Sequence, residues 1–372
     1  MSDYMTRLAD VITNEVEPNA IAIDDTGHFP TANIDALKAA GLLGLVSATE
    51  VGGEGLGPRA ATDVVAELAR HCGSTAMIVC MHYAAVAVLE SLGDDETRRQ
   101  IASNQHVSTL AFSEKGSRSH FWAPMSSATA DGDTVVLDAQ KSWITSAGEA
   151  DSYVWSSQPA AVEGASSLWL VPSDASGLKI DAAFNGLGLR GNGSSPVSAT
   201  EVRVPATAAL GADGGGFDIM IGTVLPWFTA MNAATSVGLM DAAIAQTAAY
   251  LTSTRLEHLD QTLADNPVTL NRLAQAKLAA DQARALLDAT VTAIETGADD
   301  AVLKVLEVKA AAGEAAIEVT DTCMRLCGGS AFRKEVGVER RFRDARASSV
   351  MAPTTDTLYD FIGKATCGLP LF

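Results

Sequence analysis

Residues 131–148, DGDTVVLDAQKSWITSAG, decide how the middle of this chain is read. Asp131-Gly132-Asp133 is turn chemistry, because glycine supplies the positive φ of a tight hairpin, and the β-branched run after it is a strand. Trp143 and Thr145 stand two apart and are expected on one face, a flat apolar surface beside a hydroxyl that suits a tricyclic aromatic ring. Working outward, short β-branched and aromatic runs bounded by Gly, Ser, Asp and Pro recur from residues 108–112 to 197–204. On either side the apolar period changes to that of a helix. Residues 4–16, 33–41, 59–71 and 74–92 precede the β region; Ala-rich segments over 217–251, 269–296, 301–326 and about 355–365 follow it. Long helices with short connections imply an antiparallel four-helix bundle. The expected fold is α+β, mostly α: a helical N-terminal domain (1–105), a central antiparallel β-domain (106–211) and a C-terminal four-helix bundle (212–372).

Composition narrows the function. A chain of 372 residues, at about 150 per domain, carries two to three domains. Its net charge of −19 repels a phosphate backbone, which argues against a nucleic-acid partner. Although 47% of residues are hydrophobic, no uninterrupted apolar run reaches about 18, so a large core and no membrane span are expected. An acidic amphipathic N-terminus and five scattered cysteines point to a reduced, cytoplasmic protein. Cys323 and Cys327 lie one helical turn apart without a second ligand pair, so no metal is expected. No nucleophile elbow or phosphate-binding lysine loop is present.

Four stretches carry chemistry when taken together. Phe112-Ser113-Glu114-Lys115-Gly116-Ser117-Arg118-Ser119-His120 is a strand entering a Gly/Ser loop; Lys141 to Thr145 follows; then Gly186-Leu187-Gly188-Leu189-Arg190; then Cys327-Gly328-Gly329-Ser330-Ala331-Phe332 with Arg343-Asp344-Ala345-Arg346 beyond it. Singly each reads as an ordinary turn or charged helix face. In this order, with Val204-Pro205 to Leu210-Gly211 closing the β region, they resemble the acyl-CoA dehydrogenase superfamily of flavoproteins over nearly the whole chain. The resemblance implies FAD (FMN if the protein is a monooxygenase) between the β-domain and the bundle, in a homodimer or homotetramer. It places Phe112 and Ser113 along the flavin's pyrimidine edge, Ser119 near the pyrophosphate, Trp143 on the ring and Thr145 near N5. Gly328 and Gly329 would approach a partner's adenosine half, and Thr354 and Asp356 would touch the cofactor.

The pattern also breaks. The family's α-proton base is a glutamate in a Y-E-G-T segment; here Met351-Ala352-Pro353-Thr354 puts Ala352 at that position, and the alternative position on the first bundle helix is Phe228. The pyrophosphate arginine is displaced, with Thr254 in its place and Arg255 one residue on, about 100° around a helix. Arg118 replaces a glycine and His120 an aspartate. His82, mid-helix, is the candidate replacement base, weighed against a satisfied core histidine, and Asp356 is a second candidate. Three readings follow: an FAD-dependent oxidoreductase acting on an acyl thioester or related small molecule without the usual glutamate; a monooxygenase using O₂ and reduced flavin from a separate reductase; or a non-catalytic partner subunit. An electron-transfer flavoprotein or a flavin reductase is the implied redox partner. The acidity of the chain disfavours anionic CoA, leaving Arg118, Arg190 and Arg255 to oppose the global field.

Overall fold

The computed structural model describes residues 3–117 and 119–371. Six helices come first: α1 (Asp3–Val11), which runs through a π-helical turn into α2 (Glu17–Thr26), then α3 (Thr31–Ala39), α4 (Pro58–His71), α5 (Gly73–Leu92) and α6 (Asp95–Ala102). Their limits follow from local chemistry. Pro58 opens α4 where its missing N–H costs nothing, and the Asp94 carboxylate accepts the Thr97 N–H to cap α6. Helix α5 is long and apolar enough to cross a membrane by length and composition alone (mean hydropathy 1.6). It serves instead as a buried central helix, with Met77, Val79, Tyr83 and Val86 all in the core.

Seven strands follow: β1 (Ser108–Ala111), β2 (Ser127–Asp131), β3 (Thr134–Ile144), β4 (Ser152–Ser157), β5 (Ser167–Pro172), β6 (Leu178–Ile180) and β7 (Ser195–Pro205). The Gly132 turn, at φ +61°, joins β2 to β3 as a hairpin with Asp131 opposite Thr134. One sheet runs β2-β3-β7-β6 and is antiparallel throughout; the other runs β1-β4-β5. Its β1 and β4 pair in parallel, which corrects the expectation of a wholly antiparallel domain. The chain leaves β1 for the other sheet and returns along β4 in the same direction, a crossover that hairpin signals do not report. Between the sheets Leu137, Trp155, Trp169, Val171 and Val202 form a second core.

The chain then turns helical again with α7 (Gly216–Ile219), α8 (Leu225–Ser253), α9 (Pro267–Thr296), α10 (Ala301–Cys327), α11 (Val338–Val350) and α12 (Thr355–Thr366). A two-residue hairpin, β8 (Arg255–Leu256) with β9 (Gln261–Thr262), separates α8 from α9. Helices α4 and α5 pack on α8, so the N-terminal helices and the bundle share one core. This requires small residues at the crossing. A Cβ at Gly238 of α8 would collide with the Ala66 carbonyl and the Ala69 methyl of α4. Gly238→Ala is therefore expected to lower stability by about 1–3 kcal/mol, read as a reduced urea midpoint with unchanged helical content. A midpoint equal to that of the parent protein would show that the two helices separate at little cost.

Candidate active site

The loop after β1 is fixed from below by a buried charge pair. The Lys141 ammonium lies 2.5 Å from Glu114 and also donates to the Ser156 carbonyl (2.7 Å) and hydroxyl (3.0 Å). Glu114 in turn accepts from the Met125 N–H (2.6 Å), the Ser126 N–H (2.9 Å) and the Ser126 hydroxyl (2.5 Å). Burial alone raises a carboxyl, but here Lys141 and these donors outweigh it and hold Glu114 below its ordinary value. Burial pushes Lys141 down to about 8, which leaves it charged at neutral pH. The pair sets the loop alongside β3, with the Ser142 N–H donating to the Ser113 carbonyl (2.9 Å).

Phe112 is buried and stacked on Phe121, their centroids 6.3 Å apart. Ser119 faces the start of α12. Its Oγ accepts the Thr354 N–H (2.9 Å) and lies 2.9 Å from the Thr357 hydroxyl. Beside this cluster a cavity of about 560 Å³ opens, lined by His120, Trp122, Asp356, Thr357 and Phe361 among others. The structure thus brings Ser119, His120, Thr354 and Asp356 together, and adds Thr357, which the sequence reading did not single out. Arg118 lies outside the described residues.

Trp143 and Thr145 do not share a strand face. The β3–β7 register shifts between Lys141 and Ile144, and Trp143 takes φ +60° with 69% of its surface exposed, its ring edge on Phe184. Thr145 lies beyond the end of β3, is 1% exposed, and its Oγ1 is 3.0 Å from the Ser194 hydroxyl. The bulge breaks the two-residue alternation that the expectation assumed. Arg255 sits in the β8 hairpin, exposed and paired with Asp260. Gly328 and Gly329 face open space, and Gly328 adopts φ 59°, ψ −144°, a conformation essentially confined to glycine.

His82 is not placed to act as a base. Its Nδ1 accepts the Ser108 N–H (3.2 Å), so Nε2 carries the proton and donates to the Leu43 carbonyl (3.0 Å). Both nitrogens are spent joining α5 to β1 and to the 42–46 turn. Burial lowers the imidazole to about 4.

Two further groups mark the site. Lys309 of α10, fully buried, donates to the carbonyls of Ser348 (2.8 Å), Met351 (3.1 Å) and Pro353 (2.9 Å). Among the described residues nothing accepts the N–H of Ala352. Its peptide carbonyl, that of Met351, aims at Lys309, so in a trans unit the N–H points the other way. The neighbouring peptide behaves alike: the Pro353 carbonyl faces Lys309 and the Thr354 N–H reaches Ser119. The sequence carries no signal for Lys309 beyond one basic residue on an Ala-rich helix.

The chain matches family profiles described as the acyl-CoA dehydrogenase N-terminal domain over residues 3–104, the middle domain over 109–202 and the C-terminal domain over 214–366. It therefore belongs to the acyl-CoA dehydrogenase family, whose members use FAD. It is 28% identical over 362 residues to the mitochondrial short-chain specific acyl-CoA dehydrogenase of Bos taurus, spanning 93% of this chain and 85% of that one. Its fold is similar to that of butyryl-CoA dehydrogenase from Megasphaera elsdenii (TM-score 0.92, 20% identity, 99% of each chain). It is also similar to that of PigA in its FAD complex (TM-score 0.90, 18% identity, 99% and 98%).

The residues present fit that cofactor. The exposed Trp143 ring offers an apolar face, and the buried Ser117 hydroxyl has no partner among the described residues, in the loop where the resemblance puts a pyrophosphate. The protein is a flavin-dependent oxidoreductase.

The His82 geometry has a consequence for acid stability. The folded state holds its imidazole neutral down to about pH 4, whereas the unfolded chain binds a proton below about 6.5. The unfolded state thus carries more protons in that window, and stability falls as pH drops through it. At pH 5 the loss is about 2 kcal/mol relative to pH 7. Urea unfolding of the parent and His82→Gln proteins at both pH values is expected to show this part of the loss only in the parent. An equal loss in both would contradict the buried neutral assignment.

Proposed function

We propose that the protein oxidises an acyl thioester or a closely related acyl compound, with neither family glutamate position occupied by a carboxylate. The observation that carries this reading is the N–H of Ala352, which has no acceptor among the described residues, points away from Lys309, and lies two residues before the Thr354 N–H that Ser119 accepts. A donor so placed suits an acyl carbonyl oxygen on which negative charge grows as the α-proton leaves. Bound FAD supplies the acceptor for the two electrons that the acyl chain gives up. The chain's own residues bind and orient: Ser119 and the first turn of α12 meet the phosphate end of the cofactor, and the Trp143 ring covers its apolar face.

What this chain lacks is a group at residue 352 to take the proton. Phe228 on α8 is buried and apolar, and His82 is committed to backbone. The ordinary straight-chain acyl-CoA reaction is therefore expected to be slow, and an electron-transferring flavoprotein is the proposed acceptor. Two experiments test this. FAD-loaded protein is expected to lose its yellow colour slowly under anaerobic acyl-CoA, and Ala352→Glu is expected to speed bleaching by about 10²-fold or more, the usual contribution of a placed base. No bleaching in either protein would overturn the acyl reading. Oxygen consumption confined to externally supplied reduced flavin would turn it to oxygenation.

Cofactor attachment has its own test. Ser119→Ala is expected to weaken FAD binding about tenfold, measured by flavin fluorescence, because the hydroxyl both meets the cofactor and holds Thr354. Unchanged affinity would remove Ser119 from the site.

A further inference from the structure

Lys309 is a buried amine with no carboxylate partner among the described residues. It is 1% exposed, and none of its three short contacts is to a carboxylate. The acidic groups of the elements packed against it are engaged elsewhere or face solvent. Asp344 of α11 accepts the Leu189 N–H, Asp360 of α12 pairs with Lys364, Asp241 of α8 pairs with Arg284, and Asp356 is exposed. Burial is what pulls its titration down, to about 7, with no neighbouring charge opposing it. An unpaired cation inside a protein is costly, and one held by three carbonyls is retained at the expense of stability.

Its placement is specific. Two of the carbonyls it binds belong to residues 351 and 353, on either side of Ala352, and the third, of Ser348, ends α11. The peptides 351–352 and 353–354 both turn their oxygens to Lys309, so their N–H groups point away from it. One of those N–H groups is satisfied by Ser119 and the other is free. The same turn is steadied by Asn232, whose Oδ1 accepts the Ser348 hydroxyl (2.6 Å) and whose Nδ2 has only the Met351 sulfur at 3.4 Å.

We propose that Lys309 is a positioning residue of the active site. Its ammonium aims the Ala352 N–H at the substrate and makes the space before residue 352 favourable to an anionic oxygen. The inference rests on residue 352 facing the substrate, as proposed above. The charge acts through one peptide unit, which it polarises, and the low-dielectric surroundings screen it little. The acyl compound that suits the site is one whose negative charge, permanent or developing, falls next to residue 352.

A thiol placed at 352 reports that field without flavin, substrate or turnover. In a Cys367→Ser background, which removes the exposed cysteine and leaves four buried ones, Ala352→Cys is titrated by its rate of alkylation with iodoacetamide. The expected result is a thiol that ionises below the ordinary value of about 8.5. Adding Lys309→Met should cut the alkylation rate at pH 6, where Lys309 carries its proton, about tenfold, and Lys309→Arg, which keeps the charge, should restore it. A thiol that ionises at or above 8.5 with Lys309 in place would overturn the proposal, as would equal rates in the Met and Arg variants. If Lys309→Met fails to fold, the thiol titration with Lys309 intact and the Arg variant still decide. A protein that passes this test yet never oxidises an acyl compound would refute the functional reading alone.

Discussion

A single buried ammonium, that of Lys141, determines where the loop after β1 can lie. It cannot be hydrated, and it is stabilised only where Glu114 and Ser156 meet it from two different segments. Glu114 is bound in turn to Ser126 and to the backbone at Met125. The loop from 112 to 117, the end of β3 and the strand β4 are thereby held to one arrangement. Removing either charge alone would strand the other in the interior, at a cost of about 3–5 kcal/mol. The bulge that turns Trp143 outward begins immediately after Lys141, so the same contact that anchors the loop also presents the ring.

The second constraint joins the helical and β parts. Asp344, buried on α11, accepts the Leu189 N–H at 2.6 Å, and Arg343 holds Asp24 of α2 with two nitrogens, at 2.9 and 2.5 Å. Burial raises the Asp344 carboxyl, against the pull of that N–H and of Arg341. The Gly-Leu-Arg and Arg-Asp-Ala-Arg motifs are thus each other's partners across an interface. A Cβ at Gly188 would run into the Arg343 backbone, which accounts for glycine there. The site between loop and α12 is positioned by contacts that themselves carry no chemistry.

Much of this was readable from residues alone. The Asp131-Gly132-Asp133 hairpin and the long C-terminal helices follow local rules, and local rules survive folding. The parallel β1–β4 pair was not readable, since it depends on a crossover through the other sheet. Trp143 and Thr145 were assigned a common face because alternation was assumed; the register shift at residues 141–144 is a tertiary event, set by pairing with β7. His82 looked like a chemical group in the sequence and proved to be a backbone acceptor and donor. Lys309 carried no signal in the sequence. Its importance comes from α11 ending where three carbonyls converge, a juxtaposition of residues some forty positions away in the chain. Polar residues in helices show their roles only once partners are known, whereas turn and cap residues show theirs at once.

The Glu114–Lys141 pair anchors the loop that is proposed to meet the flavin. The most direct test is FAD affinity, by quenching of flavin fluorescence, in the double variant Glu114→Gln/Lys141→Met, which removes both charges and strands neither. Binding is expected to be at least tenfold weaker with the helical far-UV signal retained, because the loop loses its anchor while the helical core does not. FAD affinity equal to that of the parent protein, in a variant of the same helical content, would contradict it.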